Sequence, residues 1–295
     1  MKRMFFFRYS LLALLFVAAL TSCQKEITID YHEVAPLVMI EGRVSNEGTN
    51  VLVTHTRSMN DSVQGECIVG ANVTVTTDDG VSHTIAYNPS KRCYSSALFG
   101  IPGQSYRLSV TLDGHCYEAT STMPLPAKIK TAGFLWETIL EERFLVYEVW
   151  AEDPQPDVRN QFRYRVDRSS AHPSLKGKKS QRRAYRSGTF EDRGHPNGLI
   201  FNDVLCMSEK MSKETKEDDE DWEHLLQEGD TIRYSLMTLD LPVYEYFRSL
   251  SAGQGNGANP KSNISGGCLG YFSACSITHA ETVVYRASDV VDVSK

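Results

Sequence analysis

The side chains of this chain that could do covalent, acid–base or metal chemistry are seven cysteines, eight histidines and 37 acidic residues, so their spacing decides what is possible. A serine hydrolase sets a nucleophile against a base, commonly within a Gly-x-Ser-x-Gly turn, and no such string occurs. Histidines are scattered singly; His172 and His195 stand beside prolines in a basic stretch and read as exposed loop residues. Tetrahedral zinc needs paired Cys-x-x-Cys or His-x₃-His spacing, which is absent, and no glycine-rich loop is placed to cradle phosphate. The two carboxylates of a glycosidase leave no local signature, so abundant acids do not mark one. The expectation is a non-enzymatic protein with no catalytic residue, no metal and no cofactor.

Cys23 differs from the other cysteines. Lys2, Arg3 and Arg8 give a positive start, residues 11–20 are apolar, and Leu20-Thr21-Ser22-Cys23 follows, the pattern of an export signal. A spanning helix would need roughly 20 apolar residues. The closing residues resemble the lipobox of bacterial lipoprotein precursors. That resemblance implies a signal peptide over residues 1–22, fatty acylation (palmitate-type) of Cys23, and a membrane anchor made of lipid alone, each buried CH₂ contributing about 0.8 kcal/mol. Gln24-Lys25-Glu26 resembles the short tags that send such proteins to the outer face of the outer membrane.

Loss of residues 1–22 removes three cations and no acid, moving the formal charge from −6 to −9. An acidic body argues against nucleic acid or anionic membrane surfaces as partners. In an exported chain, Cys67, Cys93, Cys116, Cys206, Cys268 and Cys275 can be oxidised, and six cysteines allow about 15 pairings. Cys268 and Cys275 fall in one predicted strand, over about 20 Å apart, so they are poor partners for each other. Cys93 and Cys116 flank tyrosines in what read as neighbouring strands of one sheet, and they are the expected disulfide.

The elements that must position these groups are mostly strands. Residues 24–35 are polar and read as a tether. Residues 36–125 alternate apolar and polar residues in short runs broken by turns, including Asp79-Gly80 and Asp113-Gly114, as a β-sandwich does. Met123-Pro124-Leu125-Pro126 reads as a linker. Residues 126–288 form a second β-rich domain, with a possible helical turn at 139–143 and one short helix after Asp240, carrying a stripe of Leu241, Tyr244, Phe247 and Leu250. Residues 289–295 form a tail. The basic segment 168–193 and the acidic segment 209–223 read as two solvated loops rather than a charged groove.

The run Ala258-Asn259-Pro260-Lys261-Ser262-Asn263-Ile264-Ser265-Gly266-Gly267-Cys268-Leu269-Gly270-Tyr271 is the most distinctive text. With Gly229-Asp230-Thr231, Tyr244-Glu245-Tyr246-Phe247 and Cys23-Gln24-Lys25-Glu26-Ile27, it resembles the Bacteroidota lipoprotein family catalogued as domain of unknown function 4249, over nearly the whole mature chain. The resemblance implies a mainly β cell-envelope lipoprotein whose first domain is immunoglobulin-like or carboxypeptidase-regulatory-like. It also implies an accessory to an outer-membrane TonB-dependent receptor. A structural or adhesive surface protein is the alternative, and a hydrolase a more distant one. Asn259, Asn263 and Tyr271 are candidates for a recognition loop, though locking a strand into its sheet explains them more simply; the glycines beside them permit close backbone approach. Asp61-Ser62-Val63 and Asp230-Thr231-Ile232 resemble the aspartate-hydroxyl-apolar sites of O-glycan attachment in Bacteroides relatives, Ser62 being the accessible one.

Overall fold

The computed structural model describes residues 36–56, 65–192, 198–253 and 258–293. The expectations for Cys23 and Ser62 lie outside these residues. Alternation builds the first strands: β1 (Val38–Ser45) buries Ile40 and Val44 and turns Glu41 and Arg43 to its other face. β2 (Gly48–His55) buries Val51 and Val53. Four shorter strands follow: β3 (Asn72–Thr77), β4 (Ser82–Thr84), β5 (Tyr87–Asn88) and β6 (Cys93–Ser96). The hairpin of β7 (Ser105–Leu112) and β8 (His115–Thr122) turns at Asp113-Gly114, both at positive φ (49° and 79°), a two-residue connection whose twist suits antiparallel strands.

Next comes a second long hairpin, β9 (Lys128–Ile139) and β10 (Glu142–Glu152). Residues 139–143 are its tip and not a helical turn: Leu140 and Glu141 adopt φ of 48° and 68°, and aromatic-rich strands on both sides pair across them. β11 (Gln161–Ser169), β12 (Arg182–Glu191) and β13 (Leu199–Ser208) lead to α1 (Glu209–Glu214). This single turn lies in the segment expected as loop. It is capped by Ser208, whose Oγ accepts from the Met211 amide, and is too short to show helical periodicity. β14 (Thr231–Leu239) is followed by the expected helix, α2 (Leu241–Gly253), where the Asp240 carboxylate accepts from the Val243 amide at 3.3 Å. Its buried face is Val243, Tyr244, Tyr246 and Phe247; Leu241 and Leu250 lie at the margins and stay exposed, correcting the expected stripe. β15 (Leu269–His279), β16 (Val283–Val284) and β17 (Val291–Asp292) close the chain.

The protein is mainly β, as its alternation requires. Among the described residues three sheets form: β12-β11-β14-β15-β1-β2-β6-β5 with β16 beside β14, then β13-β10-β9-β17, then β4-β3-β7-β8. One core lies between the β1–β2 side of the long sheet and β4-β3-β7-β8; a second joins the β11–β14 side to β13-β10-β9-β17; a third lies under α2. The expected boundary at residue 125 does not separate two independent domains. β15 runs parallel to β1, pairing Ile40 with Gly270, and Ile264, Cys268, Phe272 and Ala274 complete the first core. Residues 36–295 accordingly form one compact unit.

Gly270 makes this junction possible. At φ +103° it lies so close to β1 that an added Cβ would fall 1.9 Å from the Ile40 carbonyl oxygen. No other residue type fits that approach.

Candidate functional site

The three residues of the proposed recognition loop do not converge. Asn263 donates its amide to the Phe272 carbonyl at 2.8 Å and accepts the Phe272 amide at 2.9 Å, so it locks the loop onto β15 as a strand partner would. Tyr271 packs under α2 against Tyr246 (4.9 Å) and Phe247 (4.7 Å), and burial, with the Glu41 charge nearby, pushes its phenol up to about 12. Asn259 is exposed.

A Ser–His–carboxylate chain exists that no local spacing could reveal, since its members lie on β14, on β15 and in the β1–β2 turn. Ser235 Oγ is 2.9 Å from His279 Nδ1, and His279 Nε2 is 2.5 Å from Glu47 Oε1. Ser235 is only 8% exposed, and β14 is paired there on both sides, with Arg165 and with His279. Its main chain therefore offers no free N–H to hold an oxyanion beside the hydroxyl. The arrangement braces two strands.

The outer face of β13-β10-β9 is built differently from an ordinary solvated sheet face. Register places Leu135, Val146 and Leu205 in one row and Trp150 beside Phe201 in another, ring centroids 5.3 Å apart. Between them lies the row Gly133, Glu148, Asp203. Two carboxylates directly opposite each other in an antiparallel pair repel. Burial, then the charges of Glu148 and Glu137, push the Asp203 carboxyl up to about 6. Nothing lies within 4 Å of where a Gly133 side chain would begin, which leaves a notch beside the acids. Phe201 and Leu205 are 37% and 46% exposed, and Leu140, at the tip of the same hairpin, is 96% exposed.

The family model described as Domain of unknown function (DUF4249) matches residues 24–281. The chain belongs to that family. A comparison with curated proteins finds no match. Among the described residues of this DUF4249 chain, no helix is long and apolar enough to cross a membrane, and no three potential metal ligands are grouped.

Two further expectations change in this DUF4249 chain. Cys93 on β6 and Cys116 on β8 lie in different sheets, and both are free thiols, so the expected disulfide is absent; the tyrosines beside them mark core positions of two layers, not neighbours in one. The cysteine whose charge reaches Cys67 is Cys93, across the end of β2. The basic and acidic segments are not separate solvated loops either. Lys178 pairs with Glu223 at 2.5 Å, Arg168 donates to the Glu223 carbonyl at 2.8 Å, and the His172 ring meets Trp222 edge-on at 4.9 Å. Arg168 also lines a groove of about 740 Å³ over β12, β11 and β14.

Proposed function

We propose that this DUF4249 chain is a Bacteroidota outer-membrane lipoprotein, held by acylated Cys23 at the cell surface, that acts as a binding or scaffolding accessory to a TonB-dependent transporter. The residues before and after Cys23 support the anchor and its destination. An immunoglobulin-like first layer belongs to the same reading, supported by two sheets of short strands around one core.

The observation that carries the accessory role is the outer face of β13-β10-β9. Its like-charged pair, Glu148 and Asp203, weakens the isolated sheet, while Phe201 and Leu205, exposed on either side, favour burial. A partner presenting apolar side chains around one lysine or arginine would relieve both. The notch at Gly133 admits the cation, and the protruding Leu140 adds an apolar anchor at the rim.

The test is recovery of tagged full-length protein from its native membrane in mild detergent, comparing wild type with Asp203→Lys and Cys23→Ala. Wild type should bring down a β-barrel transporter stoichiometrically, Asp203→Lys should recover at least tenfold less of it, and Cys23→Ala should leave the membrane fraction and lose the acyl mass on its amino-terminal peptide. Recovery of wild type alone overturns the accessory role and favours adhesion. A transporter that stays bound to Asp203→Lys overturns the assignment of the face.

A further inference from the structure

The groove over β12-β11-β14 concentrates positive charge on a protein whose overall charge is negative. Register fixes its floor: Arg182, Ser169 and Thr231 form one row, and Ala184, Asp167 and Arg233 the next. Two of its five arginines are neutralised internally. Arg165 Nε donates to both oxygens of Asp167, at 2.9 and 3.0 Å, and Arg168 is paired with Asp230. Arg182 and Arg233, on the same face, make no ion pair among the described residues. Arg183 belongs to the other face of the ladder, in the row of Arg168 and Ile232; its Nη1 meets the His224 ring, and burial with the like charges of Arg168 and Arg186 holds its guanidinium below the usual arginine range.

Two guanidinium groups, Arg182 and Arg233, held on one face of rigid strands with no ion-pair partner among the described residues, cost the folded protein repulsion that a surface without a ligand has no reason to carry. Guanidinium forks match oxyanions, phosphate, sulfate or carboxylate, through paired N–H donors. The hydroxyls of Ser169, Thr231 and Thr282 line the same groove and supply neutral donors between the cations. Arg182 and Arg233 stand two strands apart, on the order of 10 Å.

We propose that this groove binds a soluble oligoanion carrying two oxyanion groups about 10 Å apart, one held by Arg182 and the other by Arg233, which share one face of the sheet. The site is distinct from the partner face, which lies on another sheet. It explains how an acidic protein can take an anionic ligand: the paired arginines shape the groove, and the unpaired ones supply its field.

Calorimetric titration of the full-length protein in detergent tests this with two probes, tripolyphosphate and a heparin-derived tetrasaccharide, which separate a phosphate source from a sulfated or carboxylated sugar. At least one should bind saturably. Arg182→Gln combined with Arg233→Gln should weaken that binding tenfold or more, and both positions are exposed, so the fold is retained, as an unchanged thermal melt would verify. Lys91→Gln, removing an exposed cation outside the groove, should leave affinity unchanged. No saturable binding of either probe overturns the proposal, as does equal weakening by the Lys91 substitution or full affinity in the double variant.

Discussion

Arg168 and Asp230 meet with Nε 2.6 Å from Oδ2, and neither side chain is accessible to solvent. The same carboxylate accepts from the Ser170 hydroxyl and from the Gln227 amide at 2.9 Å, while Arg168 donates onward to the Glu223 carbonyl. One buried pair thus ties the end of β11 to the turn before β14 and to the acidic segment. It also gives Asp230 of the triplet Asp230-Thr231-Ile232 a structural role. Asp230 is fully buried, and Thr231 is laddered to Ser169 and Val284.

Removing one partner leaves the other charge buried without a counter-ion, which costs about 3–5 kcal/mol. Arg168→Met and Asp230→Ala should each lower the unfolding free energy by that much, read from denaturant melts. The double variant Arg168→Met/Asp230→Leu should be more stable than either single variant, because no isolated charge remains. Additive losses in denaturant melts would refute this account.

Gly270 and Gly267 allow a matched comparison of steric clash against backbone conformation. Both have positive φ, but an added Cβ at Gly267 meets nothing within 4 Å, whereas at Gly270 it strikes the Ile40 carbonyl. Gly267→Ala should cost only the conformational penalty, roughly 1–2 kcal/mol. Gly270→Ala should disrupt the β15–β1 pairing and cost at least about 4 kcal/mol, a change large enough to be diagnostic. Amide exchange in β1 and β15 would report the difference; similar protection in both variants would show that the close approach is unimportant.

Asp203 predicts a pH dependence with a definite sign. Its carboxyl is raised from 3.8 to about 6, so the folded state holds the proton more tightly than the unfolded chain. Stability from this group is fully present below the unfolded value and is lost as pH rises through about 6. Unfolding free energy should therefore fall between pH 5 and pH 7, by on the order of 1 kcal/mol after screening at this exposed position. Asp203→Asn should flatten the change. An unaltered pH slope in the variant would place the titrating group elsewhere.

Alternation and turn chemistry were legible in the residues themselves. Tyr106, Leu108 and Val110 mark one face of β7, Asp113-Gly114 marks its turn, and Asp240 marks the start of α2. The distinctive run around Asn263 and Gly270 marked the family, and its asparagine and glycine do lock a strand. These signals are local: they depend on periods of two or 3.6 residues and on φ values that few residue types tolerate.

Only the tertiary structure decided which strands became neighbours. β15 lies beside β1 across more than two hundred residues, which merges the two expected domains. The same long-range choices put Cys93 and Cys116 in separate sheets, set Glu148 against Asp203, and gathered arginines from three strands into one groove. Strand pairing is settled by which faces can be buried together, a property of the assembled core and not of any short stretch of sequence.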